Sequence, residues 1–295
     1  MMTKKTKIFL SIPIILLCLI LPGLYNALKI VPYTIQAKGV THPVCIALVT
    51  DLHSCDYGEG MRDLLDALDA QAPDLVLLGG DIFDDELPDD NTILFLKGIR
   101  GRYPSYYVTG NHEYRSGPEG FARQMGILKQ YEIVRLSGEM TTVSIKGMRI
   151  NIGGVDDPFA WRDAVGDLEH TTGEYLKQVS QVAARPRDGA YNILLAHRPE
   201  FLEEYSQYHF DLVLAGHTHG GIWRIPGILN GLYANGLYPE GHEAPNHGLF
   251  PALAGGMYSR NGTTMIVSRG LARESTRVPR IYNRPELVII DLMPE

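Results

Sequence analysis

Aspartate, histidine and asparagine are side chains that bind divalent cations and move protons, and here they fall in five short motifs. In order these are Asp51-Leu52-His53, Gly80-Asp81-Ile82-Phe83-Asp84, Gly110-Asn111-His112-Glu113, a solitary His197, and Gly216-His217-Thr218-His219. Five of the ten histidines lie in them. Carboxylate oxygens and neutral imidazoles suit Mn, Fe, Zn or Co, and an Asn carbonyl adds a weaker neutral ligand. An Asp can bridge two ions with its two oxygens. Two ions roughly 3.5–4 Å apart clamp both the attacking and leaving oxygens of an in-line displacement and acidify a water. A His that is not a ligand can then protonate the leaving oxygen. Singly, each motif has a plainer reading: Asp51 as a helix cap, Gly79-Gly80 as a turn, His197 as a core histidine. Their joint order carries the functional reading.

Each motif follows a short apolar run. Val44–Val49, Leu75–Leu78, Tyr106–Val108, Ile193–Leu195 and Leu212–Leu214 are continuous rather than alternating, as strands buried on both faces are. Helical spacing lies between them: Met61, Leu64, Leu65 and Leu68, then Phe121, Met125 and Leu128, then Leu176, Val179 and Ala183. These stripes are core faces. Thr141–Lys146 and Met148–Ile152 flank Gly147 as a hairpin, and Thr263–Ser268 and Glu286–Leu292 are two later strands. The simplest assembly is two packed sheets with helices outside. Motifs beyond the carboxyl ends of such strands can converge on one crevice.

The chain has 295 residues, 45% apolar and 21% charged, enough for a sizeable core. Its formal net charge is −7, yet residues 1–30 hold four lysines and no acid, so the rest carries −11. Such an acidic body argues against nucleic-acid binding, which draws on clustered Lys and Arg. Cys18, Cys45 and Cys55 show no pairing or C-x-x-C spacing, and Cys55 reads as a small, partly buried residue.

Lys4, Lys5 and Lys7 precede an uncharged stretch from Ile8 to Leu28, the length a bilayer-crossing helix needs. The positive side predicts a cytoplasmic N-terminus and an extracytoplasmic body. A cleaved signal peptide is the rival, but Tyr25-Asn26-Ala27 supplies a poor cleavage site. The expected organisation is an anchor over 1–28, a tether over 29–42 and a catalytic domain over 43–295.

From Val44 to Leu292 the chain resembles the calcineurin-like metallophosphoesterase superfamily, and within it the membrane-anchored bacterial single-domain branch. The resemblance rests on D-L-H at Asp51, G-D-I-F-D at Gly80, G-N-H-E at Gly110, L-A-H-R-P around His197 and G-H-T-H at Gly216, with Val267-Ser268-Arg269-Gly270 and Asn283-Arg284-Pro285-Glu286 beyond. It implies an α/β fold, a four-layer αββα sandwich. One divalent metal would take Asp51, His53, Asp81 and His219; the other would take Asp81, Asn111, His197 and His217. His112 would assist the leaving group, oriented by Asp84. A Gln common after G-H-T-H-G-G in that branch is replaced by Ile222-Trp223.

Arg115, Arg198 and Arg269 are candidate phosphate ligands or salt-bridge partners. The Gly221–Arg260 region is a substrate-shaping loop or a packed connection, with Trp223 expected in the core. The reading is a membrane-tethered, two-metal hydrolase of phosphodiester, phosphomonoester or pyrophosphate bonds, on a substrate that the anchor makes plausible as lipid-linked. The rival is a catalytically inactive, metal-stabilised binding module; the complete residue set weighs against it.

Overall fold

In the computed structural model the chain is described over residues 18, 20–165, 168–184, 189–234, 248–276 and 278–295. Two six-stranded sheets are its frame. The first is built from strands β1 (Lys29–Ala37), β2 (Val44–Val49), β3 (Leu75–Gly79), β4 (Ser105–Val108), β5 (Val134–Arg135) and β14 (Glu286–Pro294), in the order β1-β14-β2-β3-β4-β5. The second is built from β6 (Glu139–Ile145), β7 (Met148–Gly154), β8 (Tyr191–Leu195), β9 (Leu212–Ala215), β12 (Gly256–Arg260) and β13 (Thr263–Val267), in the order β12-β13-β9-β8-β7-β6. A short ribbon joins β10 (Tyr233–Ala234) to β11 (Gly248–Leu249).

Side chains alternate across each strand, so each continuous apolar run feeds two cores. Ile46, Leu48, Leu75, Leu77 and Val288 meet Ile152, Ile193, Leu195 and Leu214 between the sheets. The opposite face of the first sheet, with Ala47, Val49, Val76 and Leu78, is covered by Leu64 and Leu68 of α1 (Arg62–Gln71) and by Phe95, Leu96 and Ile99 of α2 (Asp90–Ile99). The outer face of the second sheet carries Leu194, Val213 and Met265 against Tyr175, Val179 and Val182. Each such buried aliphatic stabilises the fold by roughly 1.5–3 kcal/mol. Helix, sheet, sheet and helix thus follow in layers.

Of the expected membrane helix, residues 8–17 and 19 lie outside the described residues. Its described end holds a short 3-10 turn over Leu21–Leu24, and among the described residues no helix is long and apolar enough to cross a membrane. The segment read as a tether instead carries strand β1, paired in parallel with β14 from Lys29↔Glu286 to Ala37↔Pro294. Pro32 fits there because an edge strand needs no donor on its outer side. Leu28 and Ile30 pack on one core and Tyr33 and Ile35 on the other.

β2, β3 and β4 run parallel, as do β8 and β9. Their carboxyl ends therefore open on one side of each sheet, and the five motifs begin there.

Candidate active site

Asp51 follows β2, Asp81 follows β3, Asn111 follows β4, His197 follows β8 and His217 follows β9. The loops that bring them together are strained. Asp51, His53, Asp81, His217 and His219 all have φ between +48° and +71°. A non-glycine residue in that region costs of order 1–3 kcal/mol and persists where the surroundings over-determine it, commonly at functional sites. The motif glycines allow close approach: a Cβ on Gly80 (φ +90°) would lie 2.6 Å from His197 Nδ1, and one on Gly216 would lie 2.5 Å from Asp51 Oδ2.

Asp81 sits at the centre. Its Oδ2 lies 3.1 Å from His197 Nε2 and 3.6 Å from His53 Nε2, and its Oδ1 accepts the His112 backbone N–H at 2.9 Å. His197 Nδ1 faces the Gly79 carbonyl at 2.8 Å; a carbonyl only accepts, so Nδ1 bears the proton in that bond. His53 Nδ1 likewise donates to Asp84 Oδ2 at 2.8 Å, which turns Nε2 inward. Carboxylate–histidine pairs of this kind orient metal ligands.

Three ligand-type atoms here are buried without a hydrogen-bond partner: Asp51 Oδ2, His53 Nε2 and His217 Nδ1. Unpaired buried polar atoms are costly, of order 1–3 kcal/mol each, so three in one crevice call for an occupant. Ligand atoms of Asp51, His53 and His219, of His53, Asp81 and His112, and of Asp81, His197 and His217 each gather within 4.8 Å. A carboxylate and imidazole set of this kind fits divalent transition metals.

The charges agree. Burial raises the Asp81 carboxyl, but His197, His112 and His53 outweigh it and hold the group well below the usual carboxylate range. Burial, then the positive Arg198 and His197, push His217 well below the ordinary imidazole value; burial, His53 and Arg280 do the same to His219. Both imidazoles are therefore neutral, as ligands must be. Burial lowers His197, yet Asp81 overrides it and lifts the ring to about 10.

Asn111 is buried, and its Oδ1 accepts from Arg198 Nη2 at 3.0 Å. His112 is the exposed member, its side chain 22% accessible, with its ring edge-on to His53 at 4.3 Å between centroids. Asp84 was expected to orient it, and here the geometry differs. The Asp84 carboxylate belongs chiefly to His53 and lies 3.5 Å from His112 Nδ1, whereas Asp85 holds that nitrogen in a short hydrogen bond. Asp84 is also turned inward by the Glu86 and Leu87 backbone N–H groups, each 2.9 Å from its Oδ1.

Sequence reasoning assigned no role to Asp85 or Glu113. Buried Glu113 accepts the backbone N–H groups of Ile82 and Phe83 on Oε1 and of Gly110 and Asp81 on Oε2. It ties the Asp81 loop to the Asn111 loop. Burial and the Asp81 charge raise its carboxyl to about 7. Its place inside G-N-H-E was the available signal.

The three arginines divide. Arg198 is fully buried, bidentate on Asp157 at 2.5 and 3.1 Å, with Nη1 2.5 Å from His217 Nε2. Arg269 pairs with Glu286 at 2.9 Å. Arg115 faces the mouth, its Nη1 3.2 Å from His112 Nε2. Trp223, expected in the core, is 40% exposed. Cys55 is fully buried.

Strand ends that gather carboxylates, imidazoles and an asparagine around one buried aspartate form a centre able to hold divalent metal ions. The chain belongs to the calcineurin-like phosphoesterase family, whose model matches residues 45–221; the family acts on phosphoesters and uses divalent metals. It is similar to an uncharacterised metallophosphoesterase of Campylobacter jejuni, 27% identical over 72% of this chain and 54% of that one. It is similar to the Bacillus subtilis metallophosphoesterase YkuE, 26% identical over 84% and 78%, and to the Escherichia coli phosphodiesterase YaeI, 30% identical over 53% and 52%. The chain spans about half the length of the first curated relatives it matches.

Proposed function

We propose that this chain is a two-metal phosphoesterase acting on phosphodiesters, with phosphomonoesters and pyrophosphates as further substrates, held at a membrane by its N-terminal run. The observation that carries the reading is the trio of buried, unpartnered ligand atoms around Asp81. One cation would be held by Asp51, His53, Asp81 and His219, the other by Asp81, Asn111, His197 and His217, with Asp81 shared. The set suits Mn, Fe or Zn. When bound, such a pair supplies Lewis acidity and a nucleophilic water.

The remaining work belongs to the chain. The proton donor is His112, whose Nδ1 is fixed by Asp85 and whose Nε2 opens to the mouth beside Arg115. Burial lowers the His112 ring, but Asp81 and Asp85 outweigh it and raise its value, favouring the protonated form. With Arg115 turned from Nε2 to the phosphate, that nitrogen delivers a proton to the leaving oxygen, a task worth about 10²–10⁴ in rate. Arg115 is placed to meet a nonbridging phosphate oxygen. Asp84 and the Gly79 carbonyl hold the rings of His53 and His197. Glu113 fixes the loop that carries Asp81.

The diester preference draws on the phosphodiesterase named among the relatives. The anchor reading draws on the Ile8–Leu28 run behind Lys4, Lys5 and Lys7, and favours an extracytoplasmic body and an envelope or lipid-linked substrate. Assay of the Mn-loaded chain on p-nitrophenyl phosphate, bis-p-nitrophenyl phosphate and a sugar-nucleotide lipid tests it. Turnover of the diester is expected. Metal uptake without turnover of any of the three would instead favour an inactive binding module.

A further inference from the structure

A strap formed by residues 278–284 touches three things at once. Its first contact is the active site: Asn283 Nδ2 donates to the His219 carbonyl at 2.6 Å and to the Ile222 carbonyl at 3.1 Å, and Arg280 Nη2 lies 3.3 Å from His219 Nδ1. Its second is the loop that leaves the site after His219. The Trp223 indole N–H donates to the Pro279 carbonyl at 2.9 Å, and the Arg224 backbone N–H to the Ile281 carbonyl at 3.0 Å. Its third is the place where the apolar N-terminal run emerges. The Tyr282 N–H donates to the Gly23 carbonyl at 2.7 Å, and Arg284 donates to the Ala27 and Leu28 carbonyls at 2.8 Å each while lying over the Tyr25 ring. Gly23 is needed for that approach, because a Cβ there would sit 2.8 Å from Ile281 Cγ2.

The loop beside this exit is apolar and uncovered. Ile228 is 84% exposed and Ile225 50%. The ribbon hydrogen-bonded behind it, through the Phe250 N–H to the Leu232 carbonyl, exposes Leu249 at 65% and Phe250 at 63%. Leu21 and Tyr25 add 55% and 63% at the exit itself. Exposed apolar clusters mark a partner, and tryptophan and tyrosine at their edge are the rings favoured at the level of lipid headgroups. The occupant is indicated by the run that arrives here. The uncharged Ile8–Leu28 run, long enough to enter a bilayer, reaches its carboxyl end here, and the strap that holds Gly23 also holds Trp223.

We propose that Trp223, Ile225, Ile228, Leu249 and Phe250 dock into a lipid bilayer beside the emerging N-terminal run, so that the His219 side of the active site faces the membrane surface. The proposal rests on the anchored reading of the chain and names the surface with which the body meets the lipid.

The chain has two tryptophans, and Trp161 packs partly buried against the outer core of the second sheet. The full chain carrying Trp161→Phe is reconstituted into vesicles of phosphatidylcholine and phosphatidylglycerol whose acyl chains are brominated. Trp223 emission is expected to shift to the blue and lose intensity relative to unbrominated vesicles, and Ile228→Asp to reverse much of that loss while the protein stays on the vesicles. Should Trp161→Phe misfold, Trp223→Phe supplies the complement: its remaining tryptophan should be indifferent to bromine. Vesicle-bound protein with unquenched Trp223 would overturn the docking and leave the anchor standing. Trp223 already shielded from aqueous acrylamide without lipid would overturn it too, in favour of the N-terminal run or a second copy as the cover. Protein that does not float with vesicles would sink the anchored reading and this one with it. Activity on the soluble diester is read separately, so none of these outcomes bears on the phosphoesterase assignment.

Discussion

At the scale of residues, the two neighbouring aspartates of the second motif do different work. Asp84 holds His53, so Asp84→Asn should weaken metal binding about 10–100-fold, as loss of a carboxylate behind a ligand histidine does. Asp85 holds His112, so Asp85→Asn should leave metal content intact and lower kcat; titration with Mn beside steady-state kinetics separates the two. Equal effects on metal content would contradict the division. His112→Ala should keep both metals and lose about 10²–10⁴ in rate, most on diesters with poor leaving groups; full activity on such a substrate would remove its role. That these carboxylates and imidazoles would meet in one crevice was legible from residue chemistry and motif order. The split between Asp84 and Asp85 was not, because adjacent residues point different ways and only the fold fixes which ring each meets.

At the scale of elements, the strand ends bearing the motifs were readable because both-face burial leaves a continuous apolar run, as in Leu75–Gly79 and Leu212–Ala215. Strand β1 was not. Its burial alternates, it carries Pro32, and it follows an apolar run that invites a tether reading. What stabilises it is its parallel partner β14, remote in sequence. A chain starting at residue 29 should therefore melt several degrees above one starting at residue 38, which leaves the β14 edge bare. Coincident melting would show that β1 adds nothing. The glycines at 80 and 216 were marked as motif members, yet their reason, a neighbour's side chain where a Cβ would be, is a tertiary fact.

At the scale of the whole molecule, Arg198 joins the two sheets. It follows β8 in the second, grips Asp157 beyond β7, and reaches Asn111 at the end of β4 in the first. Removing one partner of a fully buried pair leaves an uncompensated charge, so Arg198→Ala should destabilise the chain by about 3–5 kcal/mol in urea unfolding; a change under about 1 kcal/mol would contradict that reading. From the sequence the same arginine stood equally as a phosphate ligand, since L-A-H-R-P gives no sign of the aspartate it meets. In the proposed reading the sheets, their cores and this clamp serve one end: holding Asp81 between the two proposed ligand sets. The most direct measurement is manganese anomalous scattering from a crystal of the metal-loaded chain. Two peaks are predicted, flanking the Asp81 carboxylate, with both lost in Asp81→Asn. A single peak, or ligand atoms arranged around none, would contradict the account.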